Sequence, residues 1–467
     1  MYKIDFDKPC RIHFIGIGGI SMSGFAEYLH NIGFKVSGSD RQQSKITDHL
    51  TSLGMEVFYG QRSSNITSNL DVVVYTAAIR EDNEEFLAVK QMGIPYLNRA
   101  EMIGQLMLNF NDAVAVSGTH GKTTTTSMLS LIFMEGDLDP TISVGGILEA
   151  IGGNIRMGKS EHFIIEACEY TNTFLEFNPN RSIILNTDAD HLDFFKDLDD
   201  IRNSFHLFAK RLPADGQLFI NGEIDRYDEL TEDLDCEVFT YGIVDSAYRK
   251  TKNAYDYSAD HISFDGMSAG SFDLYFKGQY IDHIQLNVIG IHNVSNSLAA
   301  IGVSMQVGIP MDKIKKALLA FTGAERRFEY KGTIGGVTII DDYAHHPTEV
   351  TATLTSAQAY PHKLIWCVFQ PHTYSRMKQH LKEFASSLSY ADKIVLADIY
   401  ASREKDPGDI SSKDLVVELQ KLGKDVYYFP SFDEIENFLL QNCMNGDLLI
   451  TMGAGDIVTV GESLLGQ

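Results

Sequence analysis

Three times along this chain an apolar run ends in a turn built from glycines or acids and continues as a stretch that can be helical. This grammar limits the fold more than any other feature of the sequence. The first run, Arg11-Ile12-His13-Phe14-Ile15, leads into Gly16-Ile17-Gly18-Gly19. The second, Ala113-Val114-Ala115-Val116, leads into Ser117-Gly118-Thr119-His120-Gly121-Lys122-Thr123-Thr124. The third, Val337-Thr338-Ile339-Ile340, leads into Asp341-Asp342-Tyr343-Ala344-His345-His346-Pro347. Helices are expected over residues 21–31, 123–135 and 347–359. Repeated strand–loop–helix units imply an α/β fold with parallel sheets, because a crossover helix returns each strand in the same direction.

Further buried strands are expected at 163–167, 182–186, 364–369, 393–397 and 447–451. Residues 236–289 differ. They alternate apolar and polar side chains around the turn signals Asp265-Gly266 and Lys277-Gly278, which reads as antiparallel strands at a sheet edge. The 467 residues suffice for roughly three domains of about 150 each. The boundaries fall near 108 and 322. The expected architecture is a Rossmann-like domain (1–108), a central P-loop ATPase-like domain with antiparallel edge strands (109–322) and a C-terminal Rossmann-like domain (323–467).

A formal net charge of −24 and the lack of a basic tract argue against nucleic-acid binding. No run of about 18 apolar residues is present, so no membrane insertion is expected. The opening residues are acidic and polar, unlike a signal peptide. Five scattered cysteines form no C-x-x-C pair, which suits a reducing cytoplasm. Any anionic substrate must be attracted by local cations, backbone N–H groups and metal ions against the overall field.

Gly16, Gly18 and Gly19 follow a strand and open a helix at Ile20 and Ser21, and Asp40 follows at about the spacing of a dinucleotide fingerprint. A diphosphate can sit at such a helix N-terminus. The third glycine of the strict fingerprint is replaced by Ser21, so NAD(P), another diphosphate or a purely structural turn all remain open here. The second turn carries more chemistry. Val116 stands where the standard Walker loop has its first glycine, but Gly118, Thr119, His120 and Gly121 still let backbone N–H groups approach phosphate oxygens. Lys122 can neutralise the β- and γ-phosphates, and Thr123 can ligate Mg²⁺. The run Thr123, Thr124, Thr125, Thr126 is poor helix-forming material, which suggests another use for its hydroxyls.

Glu166 and Glu169 stand at the C-terminal end of an expected strand, the edge at which open α/β sheets bind ligands. Glu166 suits a hard cation. His191 is a less usual Mg²⁺ ligand, and the acidic cluster 188–193 reads equally as a solvated turn capping a helix over about 199–210. Asn293 and Asn296 share a helix face and suit an adenine edge; equally, Asn293 suits a simple N-cap of that helix. In the last third, Arg326-Arg327-Phe328, Asp342, His345, His372 and Arg376 cluster at strand ends. They suit carboxylate binding and proton handling. Paired histidines can also mark zinc, but no third ligand stands at motif spacing.

Together these motifs resemble the Mur ligases of peptidoglycan synthesis. The resemblance covers nearly the whole chain. It rests on residues 14–24, 118–125, 166–170, 190–193, 292–296, 326–328, 341–349, 369–376 and 452–457. It implies a UDP-sugar at Gly16, Gly18, Gly19, Ile20, Ser21 and Asp40. It implies ATP at Gly118, Thr119, His120, Gly121, Lys122, Thr123 and Thr124, with His292, Asn293 and Asn296 by the adenine and Arg327 and Asp342 completing the site. It implies Mg²⁺ on Thr123, Glu166 and His191. By the same resemblance, His345, His372 and Arg376 lie near an incoming amino acid. The alanine-adding branch is matched best, which implies UDP-N-acetylmuramate and L-alanine as substrates, in a monomer or homodimer. Many members carry a carbamylated lysine after the Asp-His-x-Asp motif. Here Lys210 stands only at the end of that helix, and no such residue is assigned.

The expected chemistry has two steps: a carboxylate attacks the γ-phosphate of ATP, and an amine then attacks the resulting acyl phosphate. His345 or His372 would take the amine proton. A murein-peptide ligase that adds a tripeptide is one alternative. An NAD(P)-dependent oxidoreductase, using only the first turn, is another, and a non-catalytic ATP-binding regulator a third.

Overall fold

The structure is a computed structural model that describes residues 2–467 except 77, 193, 252, 265–269 and 403. Asp193 of the Asp-His-x-Asp motif and the Asp265-Gly266 turn therefore lie outside the described residues. The chain forms two compact units, residues 1–240 with 299–313 and residues 241–298 with 314–467. Among the described residues no helix is long and apolar enough to cross a membrane.

The first unit holds a five-stranded parallel sheet in the order Glu56–Tyr59, Lys35–Asp40, Arg11–Ile15, Val72–Tyr75, Tyr96–Asn98. The order reverses beside Arg11–Ile15, so the Gly16 turn stands at the switch point where such sheets open a crevice. The helix that follows runs from Ile20 to Asn31. It packs closely through Gly24, where an added Cβ would meet the Ile155 side chain at 2.2 Å. The close-approach glycine is thus Gly24, which explains how the helix tolerates Ser21.

In the same unit the strand Asp112–Ser117 lies between Arg181–Ile184 and His162–Glu166, parallel to both. Gln217–Asn221 extends this sheet on one side in parallel, and Thr141–Leu148 with the antiparallel Gly153–Arg156 extends it on the other. Ala113, Val114, Ala115 and Val116 are fully buried, as a strand covered on both faces requires. The phosphate loop therefore leaves the centre of the sheet and enters the helix Lys122–Glu135.

In the second unit, Tyr257–Phe264, Gly270–Phe276 and Gln279–Leu286 are antiparallel, as expected. The Lys277-Gly278 turn has both residues at positive φ, the geometry that two-residue hairpins favour. One expectation is corrected. Glu237–Ile243 pairs parallel with Tyr257–Phe264 through Tyr241, Gly242 and Ile243. The long connection 244–256 between them allows a crossover, whereas a tight turn would have forced an antiparallel pair.

The remaining sheet runs Glu329–Ile334, Val337–Asp342, Leu448–Met452, Ile365–Phe369, Lys393–Leu396, Asp425–Tyr428. Its first pair is a hairpin and the rest are parallel. The loops after Val337–Asp342 and Ile365–Phe369 thus emerge on one edge, bringing 343–346 and 370–373 together. Asp341 and Asp342 were expected in the turn. They are the last residues of the strand, and both are buried.

Candidate functional site

The phosphate loop is shaped by two glycines and clasped by an asparagine. Gly118 and Gly121 have φ of +145° and +82°. A Cβ on Gly118 would lie 2.8 Å from that of Leu185, so only glycine fits there. Asn186 accepts from His120 N–H at 2.8 Å and donates to His120 C=O at 3.0 Å. Its own carbonyl accepts from Thr119 N–H. The Thr119 hydroxyl in turn accepts from Asp188 N–H at 2.9 Å. Sequence reading missed Asn186, whose only signal is an amide just past the neighbouring strand.

Lys122 begins the helix and folds back over the loop. Its Nζ donates to Gly118 C=O at 2.5 Å, Thr119 C=O at 3.0 Å and Glu169 Oε2 at 2.9 Å. Burial pulls its pKa down, but the charge of Glu169, then Cys168 and Glu166, outweighs this and holds it above the usual lysine value. The ammonium is therefore a permanent charge, already oriented. Glu169 is only 2% exposed. Its other oxygen lies 3.6 Å from His191 Nε2.

Thr123 Oγ1 donates to Glu166 Oε2 at 2.9 Å, and Gly145 N–H donates to the same oxygen at 2.7 Å. The structure thus brings together the hydroxyl and the carboxylate singled out from the sequence. His191 sits at φ +54°, with its ring 4.5 Å from that of Tyr170. Its contacts run to Glu169 and Asp190. The threonine run is only partly explained by ligand chemistry. Thr126 Oγ1 bonds back to Lys122 C=O, a local helix bond, and Thr125 is buried. Thr124 is half-buried in the first helical turn.

The first glycine turn departs from its expected reading. Gly18 N–H donates to Asp40 Oδ2 at 2.9 Å, and Asp40 Oδ1 accepts from Arg41 N–H. Gly19 N–H is taken by Gly16 C=O. These amides therefore close the turn on itself instead of facing a phosphate. Ile20 and Ser21, in the first helical turn, have no intrahelical acceptor for their N–H groups and remain suited to one.

In the second unit, His292 is buried and its pKa falls to about 4, by burial first and then by the charge of Arg327. Asp342 is raised to about 6 by burial, against the pull of Arg327. It accepts from Phe328 N–H and Ala344 N–H, each at 2.8 Å. Asn293 is the third residue of the helix Ile291–Val307. The capping alternative is therefore overturned: its amide donates back to Ile289 C=O and accepts from Asn296. The two adjacent arginines divide their work. Arg326 clamps Asp341, Gly453 C=O and Gly455 C=O, a structural task. Arg327 faces Glu349 at 3.6 Å and lies over the Tyr343 ring.

His345 and His372 have ring centroids 5.4 Å apart. Tyr400, unnoticed in the sequence, stacks on His372 at 5.8 Å, and Arg376 Nη1 lies 2.9 Å from His372 Nδ1. Gln370, Asp398, Tyr400, Phe432 and Asp456 line an open crevice beside this cluster. Among the described residues no three His, Cys, Asp or Glu side chains gather to hold a metal ion unaided.

Comparison with known proteins agrees with these features. The family model described as Mur ligase family, catalytic domain, matches residues 11–111. The Mur ligase middle domain matches 116–304, and the Mur ligase glutamate ligase domain 326–455. A UDP-N-acetylmuramate–L-alanine ligase from Lachnoclostridium phytofermentans is 61% identical, with both chains covered completely. One from Agathobacter rectalis is 56% identical, also at 100% coverage of both. The solved UDP-N-acetylmuramate-alanine ligase of Thermotoga maritima matches with TM-score 0.79 and 29% identity over 98% of each chain. A murein peptide ligase from Psychrobacter arcticus shares the fold, with TM-score 0.69 and 24% identity over 98% of each chain. Three family models in order along the chain, and relatives this similar end to end, establish that it belongs to the Mur ligase family.

Proposed function

We propose that this chain joins L-alanine to the lactyl carboxylate of UDP-N-acetylmuramate, with ATP converted to ADP and phosphate. The observation that carries the reading is the pre-oriented Lys122 beside the Thr123–Glu166 pair, in a chain 61% identical throughout to a ligase of that name. The carboxylate oxygen attacks the γ-phosphorus and ADP leaves. The amine then attacks the acyl carbon, and phosphate leaves. A carboxylate approaching a triphosphate is repelled, so catalysis rests on positioning and charge neutralisation. Lys122 supplies a fixed positive charge for this. In this reading residues 1–108 hold the UDP-sugar, 109–322 hold ATP, and 323–467 hold alanine and complete the ATP site. Gly16, Gly18, Gly19 and Asp40 shape the first turn, while Ile20 and Ser21 offer N–H groups to the diphosphate.

Thr123 and Glu166 fit Mg²⁺, which takes one or two protein oxygens and completes its shell with water and substrate phosphate. His191 would be the third protein ligand. Mg²⁺ would neutralise phosphate charge when bound. His292, Asn293, Asn296, Arg327 and Asp342 are assigned to ATP, and His345, His372 and Arg376 to the amino acid. The enzyme would work in the cytoplasm as a monomer or homodimer.

The tripeptide-adding alternative is not favoured by the full-length relatives, and an oxidoreductase would leave Lys122, Glu166 and Glu169 without a task. Phosphate release from ATP and UDP-N-acetylmuramate tests the reading, comparing L-alanine, glycine, L-serine and tripeptide. Release that depends on L-alanine supports it. Release only with tripeptide, or calorimetric binding of NAD in place of UDP-N-acetylmuramate, refutes it.

A further inference from the structure

Desolvating a charge is costly until it is paired, so a half-buried cation normally has an anion beside it. Arg99 has none. Its side chain is half-buried, and among the described residues nothing accepts a hydrogen bond from its guanidinium or forms an ion pair with it. Burial lowers its pKa, and the pull in the other direction comes from the Cys168 thiol, not from a carboxylate. The nearest acid in the sequence, Glu101, is committed elsewhere. It closes a capping box with Asn98, its Oε2 accepting from Asn98 N–H at 2.7 Å while Asn98 Oδ1 accepts from Glu101 N–H at 2.9 Å. That box makes Arg99 the first residue of the helix Arg99–Met107. The helix leaves the strand Tyr96–Asn98, which ends on the same edge of the first parallel sheet as Arg11–Ile15 and the Gly16 turn. It packs against Tyr170–Glu176, the segment that follows Glu169. A Cβ on Gly104 would collide with Glu176 C=O, and Asn178 Nδ2 donates to Gly104 C=O at 2.9 Å. Arg99 is thereby held on the ligand edge of the first sheet and beside Cys168. Cys168 is also within electrostatic reach of Lys122.

Resting on the ligation proposed above, we infer that Arg99 binds the lactyl carboxylate of UDP-N-acetylmuramate. That substrate carries two kinds of anion. Its diphosphate belongs, in the reading above, at the Ile20 and Ser21 N–H groups, and its carboxylate must reach the γ-phosphate beside Lys122. Arg99 shares a sheet edge with the first place and the neighbour Cys168 with the second. A planar guanidinium matches a carboxylate through two parallel N–H···O bonds, which fixes orientation as well as position. The carboxylate then approaches the triphosphate with its charge partly offset. Sequence reading passed over Arg99, because a single arginine after a short strand belongs to no motif.

The test compares full-length wild type, Arg99→Met and Arg99→Lys by calorimetry. The ligands are UDP-N-acetylmuramate and UDP-N-acetylglucosamine, the same nucleotide sugar without the lactyl group. Wild type should prefer the first. Arg99→Met should weaken UDP-N-acetylmuramate about 10- to 100-fold and leave UDP-N-acetylglucosamine unchanged. Arg99→Lys keeps the charge but loses the fork, so its affinity should fall between the two. Methionine keeps an apolar stem, and the cation it removes has no partner in the fold, so Arg99→Met should melt no lower than wild type. The inference is overturned if Arg99→Met binds UDP-N-acetylmuramate as wild type does, or weakens both sugars alike, as loss of a diphosphate ligand would. It is also overturned if the variant raises only KM for ATP, or melts below wild type, as loss of a structural group would. Equal affinity of wild type for the two sugars overturns it as well and leaves the ligation standing. If wild type binds no UDP-N-acetylmuramate, the ligation reading fails first, and that result is distinct from the others.

Discussion

Replacing Lys122 by methionine separates what that residue does for the fold from what it does for the reaction. Lys122 and Glu169 are both buried, and their contacts are unequal. Lys122 has two carbonyl acceptors besides Glu169, whereas among the described residues the Glu169 carboxylate has beyond Lys122 only His191, at 3.6 Å. Removing the lysine leaves a buried carboxylate nearly uncompensated, which costs about 3–5 kcal/mol. Removing the carboxylate instead, as Glu169→Gln, leaves an ammonium still bonded to two carbonyls and costs about 1–2 kcal/mol. For a unit of this size the first change lowers the melting temperature by roughly 6–15 °C. The double variant Lys122→Met/Glu169→Gln buries no charge and should recover most of that loss. Its ADP formation should remain at least about 10²-fold below wild type, because the fixed ammonium of Lys122 no longer faces the phosphates. UDP-N-acetylmuramate binding by calorimetry should be intact in all three. Scanning calorimetry with an ADP-release assay checks the set. If Lys122→Met melts with wild type, or the double variant recovers activity along with stability, the argument is wrong.

Asp342 and His292 should impose opposed pH dependences on stability. The raised Asp342 carboxyl, at about 6 against an ordinary 3.8, stabilises the fold in acid and loses on the order of 3 kcal/mol as pH rises from about 4 to 6. The lowered His292, at about 4 against 6.5, contributes a similar amount above pH 6.5 that is lost as pH falls to about 4. Denaturant titrations should therefore show Asp342→Asn gaining on wild type as pH rises and His292→Gln losing on it; parallel curves would refute the pair. Asn186→Ala removes both side-chain bonds to His120 and should raise KM for ATP about tenfold with KM for alanine unchanged, since two bonds near 1 kcal/mol each are lost from the loop. Gly145→Ala places a Cβ 2.5 Å from a Glu166 oxygen, so the Mg²⁺ concentration for half-maximal rate should rise. An unchanged Mg²⁺ requirement would remove Glu166 from the metal site.

Much of the site was legible because phosphate loops are made of contiguous backbone. Gly118, Gly121, Lys122 and Thr123 need only each other's spacing to be recognised. Glu166 was legible because it ends a run of apolar residues. Asn186 was not, since it reaches the loop only because Arg181–Ile184 lies beside Asp112–Ser117 in the sheet. Asp40 was placed at the right turn, but its bond with Gly18 N–H was not legible, since it depends on the strand Lys35–Asp40 lying beside Arg11–Ile15 in the sheet.

The sequence by itself determined the strand–loop–helix units, their order and the family, because these depend on residues adjacent in the chain. It also marked the pair Arg326–Arg327 and the histidines 345 and 372 without distinguishing their members. Only the tertiary structure divided them. Arg326 is bound to Asp341 and the loop carbonyls while Arg327 faces Glu349. His345 meets two acceptors and His372 a guanidinium. The roles of such side chains follow from which donors and acceptors surround them, and the order of strands in the sheets brings those partners within reach.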